Sequence, residues 1–545
     1  MNTQVANNRV YDYVIVGAGA AGSIVAARLA EDPSVSVCVL EAGPGDLRPY
    51  VHIPVGFVKT LTQPQITWQF KTEPSFGSGN RKISTTQGRL VGGSSSINGM
   101  IYVRGQPADY DNWAALGNPG WSYKDVLPYF AKTERRVGEG DDAVRGRDGR
   151  IPVTDMDWFH PVSETFIDAA VKQGYPRNPD YNSGDQEGVG YFQRTVDRGF
   201  RVSAARGYLL PAMKKGNIDL ITNARANRVL FEGKRATGVS FLRKQGGAET
   251  IVSARREVII SGGTANTARL LQVSGVGPTP VIGKIGVKMV HELPGVGENL
   301  IDHYSARMVM RARSEVVTLN ELARGPRLGM QIMRWAMKQP SILALLPSQV
   351  YLFCKSKENI PLPDLQCVFV PGSYREGKHY VLDRYPGVTG GWWQHRPESK
   401  GYVHATSKDV FVDPIIQPNY LQHPGDQEVM VGGMKIIREL LHSPMLSKYL
   451  VEETIPGVKT QTDEQMLDFC RMNGSTGYHL VGTAKMGPKS DKMAVVDNEL
   501  RVHGLQNLRV VDASVMPMIV SANTYAATMM IAEKASDLIK ASRNV

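Results

Sequence analysis

The most constraining stretch of this chain is YVIV at residues 13–16 followed by Gly17-Ala18-Gly19-Ala20-Ala21-Gly22. An apolar, β-rich run that breaks at G-x-G-x-x-G and continues into helix-forming residues 23–30 describes a strand, a tight turn and a helix. A second apolar run, VSVCVL at 35–40, completes a βαβ unit, and such a unit demands a parallel sheet. Gly17 permits the turn, Gly19 lets backbone approach a pyrophosphate, and Gly22 lets helix and strand pack closely. Ala20 and Ala21 open the helix, where free N–H groups and the positive dipole end favour phosphates. Glu41 ends the second run about twenty residues on, where a carboxylate bonds a ribose hydroxyl. The spacing alone does not separate NAD from FAD.

Further β-rich runs follow at 220–222, 229–231, 238–241 and 257–260, and helices are expected at 264–272 and 524–539. The middle of the chain changes character. Residues 327–338, after a Gly-Pro breaker, read as a helix on which Met330, Met333 and Met337 share one face. That stripe is expected to point into the core. Residues 371–391, rich in Gly, Pro and Tyr, read as a loop.

Lys and Arg number 63 against 52 Asp and Glu, a formal net charge of +11. The positive residues are scattered, which describes a solvated basic surface rather than a nucleic-acid groove. Such a surface is compatible with peripheral contact with an anionic membrane. Four cysteines (Cys38, Cys354, Cys367, Cys470) lack C-x-x-C spacing, which argues for a reducing compartment and against a zinc site. No metal site is expected. The start of the chain lacks the pattern of a signal peptide, and no apolar stretch reaches the ~18 residues of a membrane span. A cytoplasmic protein is expected, with membrane association open to it.

Several long motifs carry a resemblance. Residues 88–105, GRLVGGSSSINGMIYVRG, resemble the first signature of the glucose–methanol–choline (GMC) oxidoreductases, and residues 263–277, GTANTARLLQVSGVG, the second. Ala268 stands where the family usually has Pro or Ser. Further matches are LPGVGENLIDH at 293–303, DASVMP at 512–517 and Asn523-Thr524 before the last helix. The likeness spans residues 11 to 540 and looks closest to the bacterial choline- and alkanol-dehydrogenase-like branch. It implies FAD rather than NAD, and Glu41-Ala42 matches the FAD form of the first motif. It also implies an α/β chain, α+β overall. A Rossmann-like FAD-binding domain with a parallel sheet would comprise residues 1–155, 197–305 and 461–545. An inserted substrate domain with an antiparallel sheet and helices would comprise 156–196 and 306–460.

By the same resemblance, Arg89, Gly92, Gly93, Ser94, Asn98, Gly99, Met100 and Ile101 belong to the flavin-facing loop. Ala226 and Gly262 lie near the adenine, and Asp512, Ala513 and Thr524 near the ribityl chain or flavin. Some relatives attach the flavin through a histidine in the serine-rich loop; that position is Ile97 here, so non-covalent FAD is expected. The implied reaction is oxidation of an alcohol CH–OH to an aldehyde or ketone, with hydride passing to flavin N5. An oxidase using oxygen and a hydroxynitrile-lyase-type non-redox enzyme are the alternatives on this scaffold.

The stretch GYHLVGT at 477–483 holds the base that the resemblance implies, His479, with Asn523 as its partner. Apolar surroundings disfavour an imidazolium and keep a neutral base available. Leu480 replaces the usual Pro, and Tyr525 and Ala527 replace commoner Asn and Pro. Tyr478, Tyr525 and the Trp392–Trp393 pair suggest an aromatic-lined pocket, hence aromatic or medium apolar alcohols. His395, in WWQHRP, is a peripheral candidate. The electron acceptor, quinone-type or oxygen, is not legible, with the dehydrogenase branch favouring a quinone.

Overall fold

A computed structural model describes residues 9–375 and 381–542. Two seven-stranded sheets organise it. In the first, strands Ile218–Ile221, Val37–Leu40, Arg9–Val16 and Thr250–Ile260 lie side by side in parallel. Arg235–Leu242 and Arg225–Glu232 then add antiparallel on the first half of Thr250–Ile260, while Leu508–Val510 pairs in parallel with its second half. Helix Ala20–Leu29 covers this sheet and packs on the last helix, Tyr525–Ala541. The strands read as unbroken apolar runs because both faces are covered; Val14, Ile15, Val37 and Cys38 are fully buried.

The second sheet is antiparallel throughout, in the order Leu450–Ile455, Tyr304–Ala312, Gly387–Gln394, Leu365–Val370, Val350–Cys354 and Gly188–Tyr191, with Ser475–Thr476 also pairing to Tyr304–Ala312. Helix Pro424–Leu441 packs on Gly387–Gln394. Among the described residues no helix is long and apolar enough to cross a membrane.

Two local expectations fail. Residues 387–391 are not loop but the start of a central strand. Their glycines serve close packing: a Cβ at Gly390 would sit 2.7 Å from Ile437 Cγ2 of the covering helix. The methionine stripe of helix Gly325–Ala336 does not face the core. Met330, Met333 and Met337 are 57%, 56% and 54% exposed. The inward side carries the buried Gln331, whose Oε1 accepts from the Ile342 N–H, and Trp335, whose Nε1 donates to the Gly199 carbonyl. Periodicity identified the stripe, but two polar anchors turned it outward.

Candidate active site

One long cavity, ≈ 2240 Å³ counting its open mouth, runs between the nucleotide turn, the residues 93–101 and the 476–480 loop. Gly17, Gly19, Ala20, Ala21, Glu41, Ala42, Gly93, Ser94, Asn98, Gly99, Met100 and Ile101 line it. So do Ala226, Gly262, Asp512, Ala513, Thr524, Tyr478, His479, Asn523 and Tyr525.

Three expected cofactor residues stand outside the lining. Gly22 acts through packing, since a Cβ there would lie 1.9 Å from the Gly17 carbonyl oxygen. Gly92 donates its N–H to the Ala18 carbonyl and sits at φ +92, holding the two loops together. Arg89 donates to the Pro64 and Gln65 carbonyls and stacks on Trp68, which Arg225 and Arg269 also cover. Its planar guanidinium finds an aromatic face before it finds the cavity.

The lining fits a dinucleotide. Helix Ala20–Leu29 begins at Gly19 with no side-chain cap and no acid in its first turn, so its first N–H groups are left for an anion. Gly19 and Gly93 bring two backbones together; a Cβ on Gly93 would come 2.7 Å from Gly19 Cα. Glu41 is buried, and its oxygens accept from the Ala18 and Gly43 N–H groups. Burial pushes its carboxyl up to about 7, against those bonds. Asp512 accepts from the Gly263 N–H, the Thr267 hydroxyl and the Ser514 N–H, clamping helix Thr264–Val273 to the residues before the last helix. Asn98 Oδ1 accepts from Met100 N–H and from buried Arg201. Gly93→Val should therefore yield folded protein that loses most of its FAD during gel filtration, read as the flavin-to-protein absorbance ratio.

At the other group of lining residues the imidazole of His479 is fixed at both nitrogens. His303 Nε2 lies 2.8 Å from the His395 carbonyl oxygen, which can only accept, so that nitrogen carries the proton. His303 Nδ1 is then an acceptor, and His479 Nδ1, 2.9 Å away, donates to it. His479 Nε2 is left with its lone pair, 3.0 Å from Asn523 Nδ2, which donates to it. Asn523 Oδ1 in turn accepts from Gln366 Nε2 at 3.3 Å, which fixes the amide. Burial, and then the neighbouring His303, hold the His479 imidazole well below its usual range. Burial pushes His303 down to about 4.

The loop itself is held without the proline. Asp302 Oδ1 accepts from the His479 N–H, while its Oδ2 accepts from the hydroxyls of Thr476 and Tyr420. The Leu480 carbonyl accepts from Thr264 Oγ1, and its side chain is buried in the apolar cluster that also holds Trp68 and Ala268. Tyr478 sits at φ 63. Gly477 has no room for a side chain: a Cβ would lie 2.9 Å from His479 Nδ1.

Sequence reasoning missed His303, Asp302 and Gln366, which act through His479 and Asn523. The motif at 293–303 was visible, but nothing local tied it to a residue 176 positions away. Of the tryptophan pair only Trp393 lines the cavity; Trp392 points to the other side of the strand, its Nε1 on the Met430 carbonyl. His395 enters through its carbonyl rather than its ring. Tyr525 lines the cavity but lies against Ser95 and Arg201.

The chain as a whole is similar to known proteins. The GMC oxidoreductase family models match residues 11–305 and 397–532. An "alcohol dehydrogenase [acceptor]" of Pseudomonas putida is 37% identical, covering 97% of this chain and 96% of that protein. An "oxygen-dependent choline dehydrogenase" of Escherichia coli K12 is 39% identical over 97% and 95%. The crystal structure of pyridoxine 4-oxidase from Mesorbium loti superposes with a TM-score of 0.87 at 28% identity, covering 97% and 98%. Two family models spanning most of the chain, and a cavity built for a dinucleotide beside a neutral imidazole, lead to one assignment: the chain belongs to the GMC oxidoreductase family and is an FAD-dependent oxidoreductase acting on CH–OH groups.

Proposed function

We propose that this enzyme oxidises neutral aromatic or medium apolar alcohols, with His479 as general base and Asn523 holding the substrate oxygen. The observation that carries this reading is the oriented lone pair on His479 Nε2 inside the cavity. FAD, when bound, supplies the two-electron acceptor for the hydride. Gly17, Gly19, Ala20, Ala21, Gly93, Ser94 and Asn98 would hold it. In the absence of substrate, Asn523 Nδ2 satisfies the His479 lone pair. A substrate hydroxyl that takes this place gives its proton to Nε2, while the Asn523 N–H turns to the alcohol oxygen. Neutral imidazole is the form that can do so.

The preference for a neutral substrate rests on the lining. Among the described residues its only carboxylates, Glu41 and Asp512, are both engaged by backbone N–H groups. Trp393, whose ring centroid lies 6.2 Å from that of His479, lines the cavity together with Val368, Ser305 and Pro347. Among the described residues the lining offers no further carboxylate to compensate a quaternary ammonium such as choline. Anaerobic mixing with a panel of alcohols tests the reading. Benzylic and medium-chain alcohols should bleach the flavin faster than choline does, whereas a lyase or a mere flavin binder would leave it oxidised.

The remaining parts of the reading follow the same branch. The FAD is non-covalent, since Ile97 offers no nucleophile; acid precipitation should leave the flavin in the supernatant. The acceptor is a quinone, met by a cytoplasmic enzyme in peripheral contact with an anionic membrane. Turnover with a soluble quinone should exceed turnover with oxygen, and rapid peroxide formation in air would reverse that preference. The FAD-binding domain comprises 1–155, 197–305 and 461–545 and the substrate domain 156–196 and 306–460, of which 1–8, 376–380 and 543–545 lie outside the described residues. The two sheets support this division, with Ser475–Thr476 of the second sheet crossing it.

A further inference from the structure

Helix Gly325–Ala336 has three sides. Its inward side is Leu328, Gln331 and Trp335. Going round the helix at 100° per residue, the next arc holds Ile332, Ala336, Met333, Met337 and Met330, all exposed; Ile332 is 49% accessible. Beyond them lie Arg334, Arg327 and Lys338. A broad apolar arc bordered by cations on its flank therefore faces outward. No Asp or Glu occurs anywhere from residue 322 to residue 357.

The surroundings extend both properties. Exposed Phe200, at the tip of the hairpin Val196–Arg201, meets Trp335 edge to face at 4.9 Å. Asp197, the residue paired with Phe200 in the same hairpin, borders a surface pocket lined by Arg135, Arg150, Arg206 and Lys215 and is, among the described residues, its only carboxylate. Large flexible apolar side chains are not left in water on one arc of a helix without a reason. A helix with an apolar face, basic flanks and low mean hydropathy is built to lie in a bilayer interface.

We infer that the outer face of helix Gly325–Ala336 is a docking surface for an anionic lipid bilayer, with Met330, Ile332, Met333 and Met337 entering the acyl boundary and Arg327 and Lys338 meeting the phosphates. This rests on the peripheral contact proposed above and names the surface that makes it. The occupant follows from charge: the arc is apolar and every charge on the helix is positive, which suits anionic headgroups over a hydrocarbon layer. The location adds a purpose. The helix runs through residues 337–341 into the turn Ile342–Ala344, which packs on Pro54–Gly56, and then into Pro347 and Ser348, which line the cavity. A docked helix holds one wall of the substrate cavity next to the phase in which apolar alcohols and quinones concentrate.

The test uses the full-length holoenzyme and sedimentation with vesicles of phosphatidylcholine, with and without phosphatidylglycerol. The parent should sediment with the anionic vesicles and be released by salt. Met330→Gln/Met333→Gln/Met337→Gln keeps helix propensity and should lose vesicle binding. Arg327→Gln/Lys338→Gln should weaken it by roughly 25-fold, about five-fold per cation. Both should keep the parent's FAD content and its rate of flavin reduction by a soluble alcohol. If the parent binds and both variants bind equally well, this surface is wrong while the peripheral contact stands. If the parent does not bind, both fall, and the oxidation of alcohols is untouched. A parent dimer that the methionine variant dissociates would make the face a contact between two copies and would also overturn the assignment.

Discussion

His479→Ala should bind FAD and fold as the parent does, yet reduce its flavin about 10²–10⁴ more slowly in anaerobic stopped-flow mixing with a good alcohol substrate, the usual cost of losing a general base. The parent's pH profile carries the same assignment. Burial and His303 depress the His479 imidazole well below its ordinary value of 6.5. A base acts when unprotonated, so a depressed value moves the loss of rate to more acidic pH. Flavin reduction should stay level as pH falls through 6.5 and decline only below it. A reduction rate in His479→Ala within a few-fold of the parent's, at equal FAD occupancy, would remove this residue from the chemistry.

His303→Ala should cost roughly 10² in the same rate, the scale of a misplaced catalytic group. His303 touches neither cavity nor substrate; it accepts the His479 Nδ1 proton and so decides which nitrogen carries the lone pair. Without it the imidazole can rotate and exchange tautomers. The telling readout is the pH profile. His303 is neutral at ordinary pH, but once protonated, near pH 4, its own positive charge opposes one on His479, so its removal should move the inflection to less acidic pH. A purely structural role would lower FAD content and rate together without moving the inflection.

The comparison of sequence with structure separates what is local from what is not. Gly17, Gly19 and Glu41 were legible because the chemistry of a phosphate turn is written in consecutive residues. His479 and Asn523 were legible only through motifs. What orients His479, a tautomer fixed by a residue 176 positions earlier and a carbonyl 92 positions beyond that, depends on strand pairing that no window reveals. Arg89 was read into the cofactor loop, whereas an aromatic face from residue 68 captures it. The methionine stripe shows the converse limit. The 3.6-residue period correctly gathers Met330, Met333 and Met337, but a period has no sign, and Gln331 and Trp335 supplied it.

The histidine pair has a consequence for where the reaction's proton goes. His303 Nε2–H is committed to the His395 carbonyl, which cannot pass a proton onward, and Asp302, which grips the same loop, is spent on a backbone N–H and two hydroxyls. Among the described residues, no side chain that bonds the His479–His303 pair carries a proton further inward. With His479 as the proposed base, a proton that arrives with the alcohol would have to leave by the face through which it came, and the base would reset only when the cavity opens to solvent or acceptor. Release of the carbonyl product and discharge of the proton are thereby bound into a single exit.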